Sequence, residues 1–207
     1  MRDIVVIGAG GFGRETIDTI RAINAVSPTW TLLGVVDDAL SPANADRLEF
    51  LGVTYLGSVA DLPAGVSVAV AVGAPAARVA IVARLGRHAE LPSLIHPSTI
   101  IGSAFCHGAG LITLAGVSIG TNVSLGDHVH LNAHSVIGHD THLADYVSVN
   151  PNATISGDCH IGPKTLVGAS ATLLQGLAIG RSVTVGAAAC VVRDVADDQL
   201  VKGVPAR

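Results

Sequence analysis

Two different spacings of hydrophobic residues divide the chain. Up to residue 92, short apolar runs alternate with amphipathic stretches. Asp3–Ile7 reads as a strand, Gly8–Gly11 as a glycine turn, and Gly13 to about Val26 as a helix with Ile17, Ile20 and Ile23 on one face, ended by Pro28. Thr31–Asp37 and Ser67–Val72 read as further strands. Pro75–Gly86 opens with proline and closes with glycine, the usual helix asymmetry. Strands and helices joined by short connections predict a small parallel sheet covered by helices.

Beyond residue 92 the period becomes six. In steps of six from Ile119 to Val191, thirteen of thirteen positions are aliphatic, among them Leu125, Leu131, Ile137, Leu143, Val149, Ile155 and Ile161. The next residue is usually small, as in Gly120, Gly126, Asn132 and Gly138. Four residues after each aliphatic comes another small or β-branched residue, as in Val123, Val129, Ser135, Thr141 and Val147. A strict hexad specifies a parallel β-helix. Each hexad makes one flat side with two inward residues, and three sides close a coil of eighteen residues. A β-sandwich would instead show a period of two and turns every 8–12 residues. The expected domains are therefore residues 1–92, an α/β Rossmann-like half domain, and residues 93–207, an all-β helix of hexads with a C-terminal tail.

Composition fits this picture. The 207 residues are 49% hydrophobic but only 3% aromatic, with 24 glycines, as suits a narrow prism with tight corners. A net charge of −4 and 14% charged residues exclude a nucleic-acid footprint, which needs clustered Lys and Arg. No apolar run approaches the ~20 residues of a membrane span, and the first residues lack a signal-peptide pattern. Cys106, Cys159 and Cys190, odd in number and without a CxxC pair, predict a reduced, cytoplasmic protein; Cys159 falls on an inward position. Between Ile95 and Val192 only six residues are charged, against eight histidines. Such a prism is expected to be covered by copies of itself, and its three sides suit three-fold symmetry.

The hexads, the segment from Leu131 to Asp158 (LNAHSVIGHDTHLADYVSVNPNATISGD) and the tail VKGVPAR resemble the left-handed β-helix acyltransferases of the hexapeptide-repeat superfamily. With the glycine turn in front, the chain resembles the sialic acid O-acetyltransferase type, whose relatives N-acetylate amino sugars on nucleoside diphosphates for bacterial glycans. That resemblance implies a homotrimer, acetyl-CoA as co-substrate in the groove between prisms, no metal, and a corner histidine as base. His139 matches that histidine, and Asp140 its acidic partner. Gly157, one coil on from His139, is expected to let the thioester approach and to offer an N–H to the developing oxyanion. Asn132 matches a recurring family position, and Lys202, Gly203, Val204 and Pro205 of the tail would hold parts of CoA.

Such chemistry needs only a neutral imidazole to take a proton from the attacking sugar amine and a carboxylate to fix its tautomer. The same groups suit O-acetylation of a sialic acid type sugar, the alternative acceptor. A gamma carbonic anhydrase type zinc site would use His134 and His139, five apart, with a third histidine two coils earlier, where Ser98 stands; a catalytic zinc normally needs three protein ligands. A non-catalytic sugar-binding protein on the same repeat is a further class. His142 and His160 are expected to stack on adjacent coils, and His128, His130 and His134 to line an intersubunit groove.

Gly8, Gly10, Gly11, Phe12 and Gly13 fit G-x-G-x-x-G between a strand and a helix, with Asp37 and Asp38 ending the next strand. About 92 residues make one mononucleotide half, too little for NAD. A nucleotide-linked sugar, its diphosphate at the helix N-terminus and Asp37 or Asp38 near the ribose or base, fits the size. Relatives that acetylate a UDP-linked 4-amino sugar often carry histidine at the position of Phe12, which cannot hydrogen-bond.

Overall fold

The computed structural model describes residues 1–86 and 89–207. Its N-terminal part holds β1 (Arg2–Ile7), α1 (Gly11–Val26), β2 (Trp30–Val36), α2 (Pro42–Phe50), β3 (Tyr55–Gly57), β4 (Ser67–Val70) and α3 (Pro75–Leu85). The four strands form a parallel sheet in the order β3-β2-β1-β4. Helix α2 and strand β3 add to the elements that the hydrophobic pattern predicts. Only Leu48 of α2 is buried, so the helix has almost no apolar stripe, although Ser41 caps the Asn44 amide and Pro42 opens the first turn.

From Leu94 the chain winds through eighteen two-residue strands, β5 (Leu94–Ile95) to β22 (Leu200–Val201), as the left-handed parallel β-helix expected from the hexads. Three flat sheets close the prism. The first face carries Ile112, His130, Ser148 and Leu166 at outward positions, the second Ser118, Val136 and Thr154, and the third Ser124, His142, His160 and Ala178. Partners lie eighteen residues apart, as in Ser124 with His142 and His142 with His160. The last coil is two residues shorter, pairing Thr184 with Leu200. Inside, the hexad aliphatics and the small residues between them, including Cys159, make one continuous core.

The corners have a repeated strain and a repeated remedy. Asn122, His128, His134, Asp140, Tyr146, Asn152, Asp158 and Lys164 all have φ between 55 and 62°, a left-handed conformation disfavoured for residues with a Cβ. Each donates its N–H to a carbonyl of the preceding coil, as Asp140 does to Thr121 (2.9 Å) and Asp158 to His139 (2.8 Å). The turn is thus held by the coil beneath it. At the far end the tail folds back: Lys202 and Arg207 exchange backbone hydrogen bonds of 3.1 Å, and Ala206 inserts into the core.

The two parts meet on the first face. Ile17 and Ile20 of α1 pack with Leu94, Ile112 and Leu114 in one cluster, and a buried arginine of α3, Arg78, crosses the seam to His130 and Ser148. Outward side chains of the first face are therefore covered: Ile112, His130 and Ser148 are each 1% exposed, whereas His142 and His160 on the third face are exposed. Among the described residues no helix is long and apolar enough to cross a membrane.

Candidate active site

His139 and Asp140 occupy the corner between the second and third faces. His139 Nδ1 lies 2.7 Å from Asp140 Oδ2, and Asp140 Oδ1 accepts from Asn122 Nδ2 at 2.9 Å. The Asn122 amide, and then the imidazole, hold the Asp140 carboxyl below the usual carboxylate range, so it is ionised and accepts the Nδ1 proton. That leaves His139 Nε2 with its lone pair on a ring whose side chain is 64% exposed.

Gly157 lies one coil on from His139, as the eighteen-residue period requires. A Cβ there would stand 2.6 Å from both Cε1 and Nε2 of His139. The imidazole occupies the space that a side chain on Gly157 would need. Its N–H donates no hydrogen bond to the described residues, so the amide beside the ring stays free for an incoming oxygen.

The Asn132 side-chain nitrogen donates to the Val149 carbonyl (2.9 Å) and reaches Asn150 (3.4 Å), tying two coils together. Lys202, Gly203, Val204 and Pro205 are exposed at the end of the prism, distinct from the buried Ala206.

The glycine turn opens a cleft of ≈ 340 Å³ lined by Gly8, Gly10, Gly11, Phe12, Asp37, Asp38, Val72 and Gly73 among others. Its glycines divide by role. A Cβ on Gly13 would fall 1.8 Å from the Gly8 carbonyl oxygen, and one on Gly8, at φ +111°, 2.7 Å from that of Ala71; these two let strand and helix touch. Gly10 and Gly11 face open space and leave the N-terminus of α1 uncovered, without an acidic residue in its first turn. Uncapped amides and the helix dipole suit an anion there.

The two acids are already engaged. Asp37 accepts from the amides of Ala9 (2.7 Å) and Ala39 (2.8 Å), so one oxygen shapes the glycine turn itself. Asp38 accepts from the Val59 amide and pairs with Arg84, and Arg84 holds its carboxyl below the usual range. Phe12 stacks on the His130 ring at 4.5 Å and 23°.

His130 departs from the sequence reading. It lies under the N-terminal part rather than in an open groove, and His128 is likewise buried, stacked on Tyr146 at 5.1 Å. Only His134 of that trio is exposed. His142 and His160 lie one above the other on adjacent coils as expected, but their rings are tilted by 49° at 6.3 Å rather than stacked. Ser98, at the position where a zinc site would need a third histidine, hydrogen-bonds His96 (2.8 Å). Among the described residues no three His, Cys, Asp or Glu side chains gather as a metal site.

Comparison with known proteins places these features. The family model of the PglD N-terminal domain matches residues 3–85. GDP-perosamine N-acetyltransferase of Escherichia coli O157:H7 is 31% identical over 137 residues, 65% of this chain and 61% of that protein; the chain thus spans less than two thirds of this curated relative. PerB from Caulobacter crescentus, solved with CoA and GDP-perosamine, superimposes with a TM-score of 0.88 at 30% identity over 100% of this chain and 97% of that one. The acetyltransferase domain of PglB from Neisseria gonorrhoeae FA1090, solved with acetyl coenzyme A, gives 0.84 at 29% identity over 100% and 98%. With the same architecture from end to end and this level of identity, the chain belongs to the hexapeptide-repeat nucleotide-amino-sugar N-acetyltransferase family.

Proposed function

We propose that the protein transfers the acetyl group of acetyl-CoA to the amine of a nucleotide-linked amino sugar, with His139 as general base and the glycine-turn cleft as the acceptor site. One observation carries the assignment of the base: the Asn122–Asp140–His139 chain of hydrogen bonds, which fixes the Nδ1 proton and leaves Nε2 free. As the amine nitrogen attacks the thioester carbonyl, Nε2 takes its proton. The tetrahedral intermediate then collapses, the C–S bond breaks, and the CoA sulfur leaves with the proton returned by the imidazolium. Asp140 stabilises that imidazolium, and the unused Gly157 amide is placed to receive the oxyanion.

The positions of base and cleft support a trimer. The N-terminal part covers the first face, and His139 sits on the edge between the other two. A base pointing away from its own acceptor cleft reaches an acceptor held by another copy, so the reaction assembles between subunits. The related structures with CoA and GDP-perosamine support a nucleotide-linked 4-amino sugar as acceptor class, and the three unpaired cysteines suit a reducing cytoplasm.

The test is thiol release from acetyl-CoA with UDP-, GDP- and dTDP-linked 4-amino sugars, beside sialic acid as a hydroxyl acceptor. Turnover with one of the amino sugars is expected; release only with the hydroxyl acceptor would replace N- by O-acetylation. Sedimentation of the same preparation as a monomer while fully active would remove the shared site.

A further inference from the structure

Among the described residues Arg78 is the largest side chain with no exposed surface, and no carboxylate among them pairs with it. Nη1 donates to the Val72 carbonyl (2.9 Å) and to His130 Nδ1 (2.9 Å), with the Gly73 carbonyl at 3.3 Å. Nη2 donates to the Tyr146 carbonyl (2.8 Å) and Ser148 Oγ (3.0 Å), and Ser148 in turn donates to the Gly73 carbonyl (3.0 Å). Since a guanidinium only donates, Nδ1 of His130 is the acceptor and the ring carries its proton on Nε2, an atom without a hydrogen-bond partner in the described residues.

Everything this group holds on the N-terminal side belongs to the acceptor cleft. Val72 and Gly73 line it, and His130 backs Phe12, which lines it as well. A buried cation is costly unless compensated, and here only neutral acceptors surround it: backbone carbonyls, the His130 ring and the Ser148 hydroxyl. Burial lowers its pKa to about 9, which still leaves it charged at neutral pH. Carbonyls bonded to a cation also polarise their peptide units and strengthen the neighbouring N–H donors.

We infer that Arg78 is a positioning residue for the anionic acceptor, fixing the Phe12 wall and the Val72–Gly73 edge of the cleft from the prism side and placing a positive charge behind them. The inference rests on the reading of the cleft as the site of a nucleoside-diphosphate sugar. The anion supplies the charge that the fold leaves without a counter-ion. Arg78 does not touch the acceptor; it acts through His130, Phe12 and the two peptide units.

Two substitutions test it in the full-length protein. Arg78→Met removes the charge and all the hydrogen bonds. His130→Gln keeps an acceptor for the guanidinium but removes the ring behind Phe12. Arg78→Met is expected to raise KM for the nucleotide sugar at least roughly tenfold while KM for acetyl-CoA stays within twofold, and His130→Gln to raise the acceptor KM by less, with kcat nearly unchanged. Arg78→Lys, which returns the charge without the fork, is expected to recover part of the loss. Calorimetric titration with GDP and UDP, without acetyl-CoA, follows the same order. An unchanged acceptor KM in folded Arg78→Met would overturn the inference, as would a parallel rise in both KM values. Should Arg78→Met fail to fold, an unchanged acceptor KM in His130→Gln has the same force. Wild-type protein that binds a nucleoside diphosphate but transfers no acetyl would sink the proposed reaction while the titrations still decide the role of Arg78.

Discussion

The acceptor cleft and the His139 corner both depend on glycine next to a charged group, yet the physical arrangements are opposite. In the cleft, Gly8 and Gly13 pull strand and helix together while Gly10 and Gly11 leave space open; a helix N-terminus and the buried Arg78 bring positive charge there, and the carboxyls of Asp37 and Asp38 on the same lining are engaged by backbone amides and by Arg84. At the corner, Gly157 gives its space to the imidazole, and the charge beside it is the negative Asp140. In the proposed reaction the first region holds an anion and the second keeps a base supplied with a lone pair.

The contrast is most directly broken at the base. His139→Ala is expected to lower kcat by roughly 10²–10⁴ with the assembly unchanged, and near wild-type turnover in that variant would reassign the proton transfer. In the cleft, Gly13→Ala should cost ~3 kcal/mol or more of stability, because its Cβ meets a backbone oxygen that cannot move aside. Gly10→Ala should leave the denaturation midpoint in place and weaken only nucleotide-sugar binding. Equal loss of stability in the two would mean that Gly10 is structural as well.

The covered first face and the open third face should differ in their response to acid. Burial, then the charge of Arg78, holds His130 neutral well below the usual histidine value, and burial lowers His128 in the same direction. The unfolded chain takes up these protons below about pH 6.5 while the folded chain refuses them. Their contribution to stability is therefore complete above that pH and lost on acidification, by about 1.4 kcal/mol per pH unit for each such group until its folded-state value is reached. Denaturant midpoints from pH 7.5 to 5 should fall less steeply in His130→Gln; an identical slope would refute the assignment to this ring. The smallest expected effect is at Asp140. Asp140→Asn should reduce kcat less than His139→Ala, and a loss as large as that variant's would give Asp140 more than an orienting role. Because the Asp140 carboxyl is held below its usual range, its pairing persists on acidification and is lost only as pH falls through that lowered value.

Much of the site can be read from spacing. The hexad register puts Gly157 one coil on from His139 and Asp140 in a corner position, and all coils up to the last keep eighteen residues. What the period does not carry is which of its three faces is covered. His130 and His142 occupy equivalent outward positions two hexads apart, and their strands read alike; only docking of the N-terminal part buries one and leaves the other in solvent. Helix α2 leaves no hydrophobic stripe in the sequence because it buries a single leucine, and its one local signal is the Ser41-Pro42 start. The shortened last coil follows the final intact hexads and has no periodic trace of its own.

The sequence by itself thus determined the prism, the glycine turn, and the neighbours His139 and Asp140. Those are repetitive or local features, set by which side chains fit inward positions and which backbones turn a corner. Only the tertiary structure decided that Gly157 yields its space to the base, that the Asn132 side chain bonds across two coils, and that Arg78 joins residues 52 to 70 positions away to the edge of the cleft. Those contacts form between elements whose own patterns are complete without them. Their energies come from burial and from satisfying polar groups across a seam, quantities that exist only once the two parts are packed together.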